Sequence, residues 1–236
     1  MPDARHRQPL LQRRLPGAVL LAVLAAGVSS LPALLPRVAA AAQGSRGAIE
    51  GRITLSSTAQ ARSLDRYTSD TGESREIQQV PVVVYIEGTV PDSPPARPSG
   101  TTALVQRGQA FSATALVVPL GTQVSFPNGD PIFHNVFSYS RAKRFDLGRY
   151  RQGEAKTVVF DRPGYVKVMC EVHKWMRTAV VVVENPYYAV VAESGQFRID
   201  GVPPGHYRLA IEHFDRRTSV EVDVPAGGVA RADARL

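Results

Sequence analysis

Residues 165–183 read YVKVMCEVHKWMRTAVVVV. Two runs rich in valine, Tyr165–Met169 and Thr178–Val183, predict two strands joined by a short connection. Between them stand Cys170, His173 and Met176, at spacings of three and three. A connection that short brings a thiolate, an imidazole and a thioether to one point at the end of a β-sandwich. A second imidazole must come from elsewhere. His134 is the obvious donor, in FPNGDPIFHNVFS (126–138), on a turn-rich connection after the run Thr122–Phe126.

Similar runs recur along the chain. They are Ile49–Leu55, Val80–Glu87, Ala103–Gln106, Ala113–Pro119, Thr157–Phe160, Gln196–Ile199, His206–His213 and Thr218–Val224. No helical periodicity of useful length follows residue 45, and 19 glycines and 18 prolines are spread along the chain. The predicted architecture is all-β, built as sandwiches with Greek-key connections. Residues 56–78 and the proline-rich 88–102 read as flexible connections.

The first 42 residues differ in kind. Arg5, Arg7, Arg13 and Arg14 precede an apolar run from Leu15 to Leu35, and Ala39–Ala42 offers a cleavage site. This predicts a secretory signal peptide and a periplasmic protein, with membrane contact only if the signal stays uncleaved. The formal charge of +7 is largely a property of that segment: it holds five arginines and one aspartate, and the remaining 23 basic and 20 acidic residues leave +3. So mild a balance argues against nucleic acid as a partner.

A lone cysteine in an exported chain is inert and buried, bridged to another chain, or held by a metal. The neighbourhood favours the metal. One cysteine, two histidines and a weak methionine make the ligand set of a type 1 (blue) copper site. A structural zinc site normally takes four Cys or His ligands, and Met is a poor one. The candidate ligands are therefore His134, Cys170, His173 and Met176, holding one copper for electron transfer rather than catalysis. Outside the leader only His206 and His213 remain as further histidines, and no H-x-H occurs, which argues against a multicopper enzyme. Arg141, Lys143, Arg144, Lys174 and Arg177 gather near the ligands in sequence and predict a basic rim around Trp175 that steers an acidic redox partner. Tyr187 and Tyr188 are expected between domains.

The segment 101–184 resembles the cupredoxins, and its C-x2-H-x2-M spacing is similar to that of the amicyanin-like members. Phe133-His134-Asn135-Val136 resembles their P-H-N-V segment, with Phe in place of Pro. Gly164 and Cys170 match their approach strand, although Val166 and Val168 stand where aromatics are usual. The resemblance implies a Greek-key sandwich, one-electron transfer, and a redox partner such as a cytochrome c or a dehydrogenase. It also implies that Asn135 ties the two ligand loops together by hydrogen bonds. Lys174 stands where such loops usually have Pro, and Trp175 is expected near an exposed histidine edge.

Residues 193–213, ESGQFRIDGVPPGHYRLAIEH, resemble the carboxypeptidase regulatory-like module, a small transthyretin-like sandwich. Gly47–Ile53 (GAIEGRI) and VPVVVYIEG resemble its first two strands. The expected domains are 43–100 and 185–236 for the module and 101–184 for the cupredoxin, inserted in it; that the cupredoxin merely follows it stays open. The full arrangement resembles that of proteins labelled methylamine utilisation proteins. A metal-free envelope binding or structural module of cupredoxin shape remains the alternative function.

Overall fold

The computed structural model describes residues 45–56, 66–68, 74–98 and 100–236. The expected leader, 1–42, lies outside them. Two apolar runs explain the layering. Val83–Ile86 (β4) and Arg177–Val183 (β12) lack the polar alternation of a half-exposed strand, and nearly every residue in them is buried. Such strands need apolar cover on both faces. Val84 and Ile86 face one hydrophobic core, and Val180 and Val182 face another. Their alternate residues, Val83, Tyr85, Val181 and Val183, pack against each other. Two β-sandwiches therefore stand back to back, with their inner sheets sharing a seam.

The first sandwich draws on both ends of the described residues. Its outer sheet has the order β14 (Gln196–Val202), β1 (Gly47–Thr54), β17 (Val229–Arg231), with β18 (Ala234–Arg235) also pairing β1. Its inner sheet has the order β13 (Tyr188–Val190), β4, β15 (Gly205–His213), β16 (Arg216–Val224). Ile49, Phe197 and Ile199 pack across to Val84, Leu209 and Ile211. Among the described residues β1 pairs only with β14, β17 and β18. The glycines of its GAIEGRI run have a steric reason. A Cβ on Gly51 would meet the Ala232 carbonyl oxygen at 2.2 Å, so only glycine admits the crossing of the last strands.

The second sandwich has an outer sheet of order β10 (Ala155–Phe160), β7 (Thr122–Pro127), β5 (Thr101–Ala103). Its inner sheet has the order β6 (Ala115–Pro119), β12, β11 (Gly164–Met169), β8 (His134–Tyr139), β9 (Arg144–Tyr150). Val124, Phe126 and Phe160 pack against Val136, Val166, Val168 and Val180. The fold class is the expected one, all-β with sandwich-type sheets and no helix among the described residues.

Several elements differ from the expectation. Residues 134–139 are a strand, not a connection: the turn signals stop at Pro131, and HNVFSY supplies an edge for β9 and β11. Within 56–78, β2 (Arg66–Thr68) and β3 (Ser74–Glu76) pair as a hairpin. Tyr187 packs in the first core rather than between the sandwiches, and Tyr188 is exposed on edge strand β13.

The seam instead holds Tyr85 and Tyr165, with small residues Ala115 and Ala210 letting the sheets approach. A carboxylate, Glu212, also lies on this face. The Tyr85 hydroxyl donates to its Oε1 at 2.6 Å, and the Arg217 Nε stands 3.5 Å away. Burial pushes the Glu212 carboxyl above its ordinary 4.5, and the Tyr85 bond and Arg217 only partly offset this. Between those two values the folded chain binds more protons than the unfolded one, so stability falls as pH rises through that window. Tyr85→Phe is expected to cost about 1–3 kcal/mol at a pH above the raised Glu212 value, where the carboxylate accepts the bond as an ion, and less near about pH 4, below that value, where it is protonated. Urea unfolding midpoints at the two pH values check this; an equal loss at both would contradict it.

Candidate metal centre

Alternation along β11 decides where the cysteine points. Val166 and Val168 face the second core, so the side chain two residues on must face it too. Cys170 belongs to that core, the only cysteine of the chain and a free thiol. Residues 170–176 then form the turn between the antiparallel β11 and β12, whose pairing begins at Met169 opposite Arg177. The turn is closed by its own backbone: Cys170 N–H donates to Met176 O at 3.2 Å, and Met176 N–H to His173 O at 2.9 Å. His173 stands at its middle and Met176 is fully buried in the same core as Cys170.

His134 opens β8, the neighbour of β11. Its Nδ1 lies 3.7 Å from Cys170 Sγ and 3.0 Å from His173 Nδ1, and His173 Nδ1 lies 3.8 Å from the sulfur. Three donor atoms thus converge, from residues 0%, 2% and 8% exposed for His134, Cys170 and His173. Among the described residues no other group of three His, Cys, Asp or Glu side chains converges this way. One first-row ion with bonds of about 2.0 Å to nitrogen and about 2.3 Å to sulfur spans a triangle of this size. A soft thiolate with two imidazoles is also a donor set such an ion takes, so the residues present fit a metal.

Two expectations change. Asn135 does not reach the cysteine loop with its side chain; its Nδ2 donates to Asp146 Oδ1 on β9 at 3.0 Å. Successive side chains of a strand leave opposite faces, so Asn135 stands on the face opposite His134. Nor is the histidine edge open. Trp175 is buried beside it, its ring 5.2 Å from that of His173, and the Arg75 guanidinium lies 6.0 Å from the centre of the indole. The segment after β3 holds that side down: Gln78 N–H donates to Trp175 O, and the Gln78 amide bonds both backbone groups of Phe111.

The residue that spacing did not single out is Asp130. Its Oδ2 is 2.9 Å from His134 Nε2, its Oδ1 accepts Gly108 N–H at 2.6 Å, and Oδ2 also accepts Gln109 N–H at 2.8 Å. Burial pushes this carboxyl up, but those three bonds outweigh it and hold it below its ordinary value. Asn128 sets the loop that carries it, accepting Asp130 N–H and donating to Ile132 O and Tyr150 O. The signal was visible as an acid four residues before the histidine in NGDPIFH.

The basic rim is not assembled as expected. Arg141, Lys143 and Arg144 lie at or beyond the far end of β8, roughly 16 Å of strand away from His134. Lys143 there pairs with Asp161 and Arg144 lies over Tyr139. Arg177 donates to Gln78 O. Lys174 stays exposed on the ligand turn, and the exposed apolar residues beside the ligands are Ile132, Phe133 and Val172.

No protein-family model matches the chain, and no curated protein matches it. Among solved structures it is similar to the Cu-containing nitrite reductase (NirK) from Thermus scotoductus SA-01, at 23% identity and a TM-score of 0.35, over 37% of this chain and 23% of that one. It is similar to a reduced Cu(I) form of a mutant amicyanin, at 22% identity and a TM-score of 0.34, over 40% of this chain and 96% of that one. A purple cupredoxin from Nitrosopumilus maritimus matches at 24% identity and a TM-score of 0.31, over 36% of this chain and 99% of that one. The chain thus spans 23% of the nitrite reductase's length.

Proposed function

We propose that this chain is an exported, periplasmic type 1 copper protein that carries single electrons between redox partners. The carrying observation is the convergence of His134 Nδ1, His173 Nδ1 and Cys170 Sγ in a buried triangle with edges of 3.0, 3.7 and 3.8 Å. Met176, buried on the same turn, is the weak fourth ligand. Copper held there supplies one chemistry, a reversible one-electron change between Cu(I) and Cu(II). Cys170 gives up its proton to bind, as a thiolate ligand must. The β11–β12 turn and the head of β8 hold the donors in place while the packed core excludes water. Burial of all three donors supports a carrier over an enzyme, since a substrate has no open position to reach.

The redox partner docks on the face formed by Ile132, Phe133 and Val172, of which Phe133 is 57% exposed. Lys174, exposed on the same turn, favours an acidic partner, while Arg149 stands 3.8 Å from Glu171. The first sandwich is a regulatory-like module with the copper sandwich inserted. The pairing of β1 with β14, β17 and β18, and of β4 with β13 and β15, supports that division.

Adding Cu(II) ions to purified metal-free protein tests the function. One copper per chain is expected to bind, with an intense blue thiolate-to-copper absorption that reductant bleaches and oxidant restores. A protein that stays colourless and takes up no copper, or that binds only zinc, would falsify the proposal.

A further inference from the structure

The outer sheet of the first sandwich turns a charged face away from its core. Ile49 and Ile53 of β1, Phe197 and Ile199 of β14 and Ala230 of β17 point into the core, so the residues alternating with them point outward. Register sets their places. Glu50 lies between Arg198 on β14 and Arg231 on β17, Arg52 lies beside Gln196, and Thr54 lies beside Arg235 on β18. Neighbouring strands stand about 4.8 Å apart and successive outward rows about 6.6 Å apart, so the three rows make a strip roughly 13 Å long.

The strip has an opening and an excess of one sign. Strand β17 pairs with Ala48–Glu50 and β18 with Ile53–Thr54, and the ladder is open between them. There Asp233 Oδ1 accepts Arg52 N–H at 2.7 Å, in place of a strand carbonyl. The result is a cleft of about 900 Å³ whose charged lining is four arginines, Arg52, Arg198, Arg231 and Arg235, and two acids, Glu50 and Asp233. Glu50 divides its two oxygens between Arg198 and Arg231, at 2.9 and 3.1 Å. One oxygen of Asp233 is committed to the backbone. The Arg52 guanidinium donates to Ser194 O, and among the described residues Arg235 has no ion-pair partner.

A guanidinium fork matches the paired oxygens of a carboxylate. The Arg198 and Arg231 side chains are 48% and 76% exposed, and one ion pair in such a place is worth little. A ligand that offers several anionic groups along the strip gains from all of them together. Among the described residues this face has no exposed aromatic ring to stack on a base, Phe197 being buried, and its one exposed large apolar side chain is Val229. Both facts disfavour nucleic acid and insertion into a bilayer. Thr54, Gln196 and the second oxygen of Asp233 are partners for hydroxyl groups lying between the charges.

We propose that this face binds an acidic polysaccharide, with its carboxylates on the four arginines and its hydroxyl groups on Thr54, Gln196 and Asp233. The copper reading is not needed for this, because the cleft belongs to the sandwich that carries none of the three metal donors.

Immobilised polygalacturonate, with uncharged dextran as the blank, tests the proposal on purified metal-free protein. Wild-type protein is expected to bind polygalacturonate at low ionic strength, to be released by added salt, and to pass over dextran. Arg231→Gln combined with Arg235→Gln is expected to weaken binding about tenfold or more. Arg162→Gln, at an exposed arginine of the second sandwich, should leave it unchanged. Arg235→Gln alone breaks no ion pair among the described residues, so a smaller loss in that variant carries the test if the double variant misfolds. Wild-type protein that does not bind overturns the proposal, as does unchanged affinity in these variants. Binding to single-stranded DNA or to phosphatidylglycerol vesicles as tight as to polygalacturonate also overturns it, since the face would then be an unselective field of positive charge.

Discussion

Copper-loaded Cys170→Ala protein is expected to be colourless. On the proposed function the intense absorption expected of the wild-type form arises from charge transfer out of the Cys170 sulfur, and no other cysteine can replace it. Copper affinity should fall by more than the about 10–100-fold that losing an outer-sphere partner costs, because a coordinating atom is gone. The metal-free fold should survive. The thiol is a small buried group at the end of β11, and its removal leaves a cavity worth about 1 kcal/mol. Circular dichroism and a urea midpoint close to wild type would show the fold intact while the visible spectrum is flat. A variant as blue as the wild type would remove Cys170 from the site.

The largest effect on stability is expected at the seam. Val181→Asp places a carboxylate between the two inner sheets, where Val83, Tyr85, Val183 and Ala210 surround it. An unpaired charge there must be desolvated or protonated, and either outcome costs more than about 4 kcal/mol. Val159→Asp is the control. That valine also sits in a strand, β10, yet is 45% exposed, and its replacement should stay within about 0.5 kcal/mol. By sequence the two sites look alike. Denaturant unfolding of both variants separates them, and equal midpoints would mean that β12 is open to water on one face.

The strands that carry this argument were the legible part of the sequence. Runs of valine with turn residues at their ends mark β4, β11 and β12 because strand propensity and burial act in the same direction there. The run VVYI and the run VVVV also held the layering, since neither alternates; what they could not tell was which partner covers the second face. Strand β8 was hidden because its first residue follows NGDP, and turn chemistry masks the pairing that begins three residues later. The ligand turn was legible through its spacing, since Cys170, His173 and Met176 lie on one connection. Asp130 was legible only as an acid four residues before His134; its bonds to Gly108 and Gln109 were not, because they join segments about twenty residues apart. No local pattern encodes a bond whose partners meet only after folding. The burial of Trp175 under Gln78 and Arg75 was hidden for the same reason.

The strand order imposes a timetable on the chain as it is made. Every strand of the second sandwich lies between Thr101 and Val183, so its sheets can close as soon as residue 183 is present. Strand β1 emerges much earlier, yet its partners are β14, β17 and β18, which come nearly last. Until then β1 is an unpaired edge waiting on contacts across almost the whole chain, and such long-range pairing is slow. The half that carries His134, Cys170 and His173 can therefore mature first, held between two ends that have yet to meet, and the first sandwich then shuts around strands whose spacing that folded half has already brought within reach.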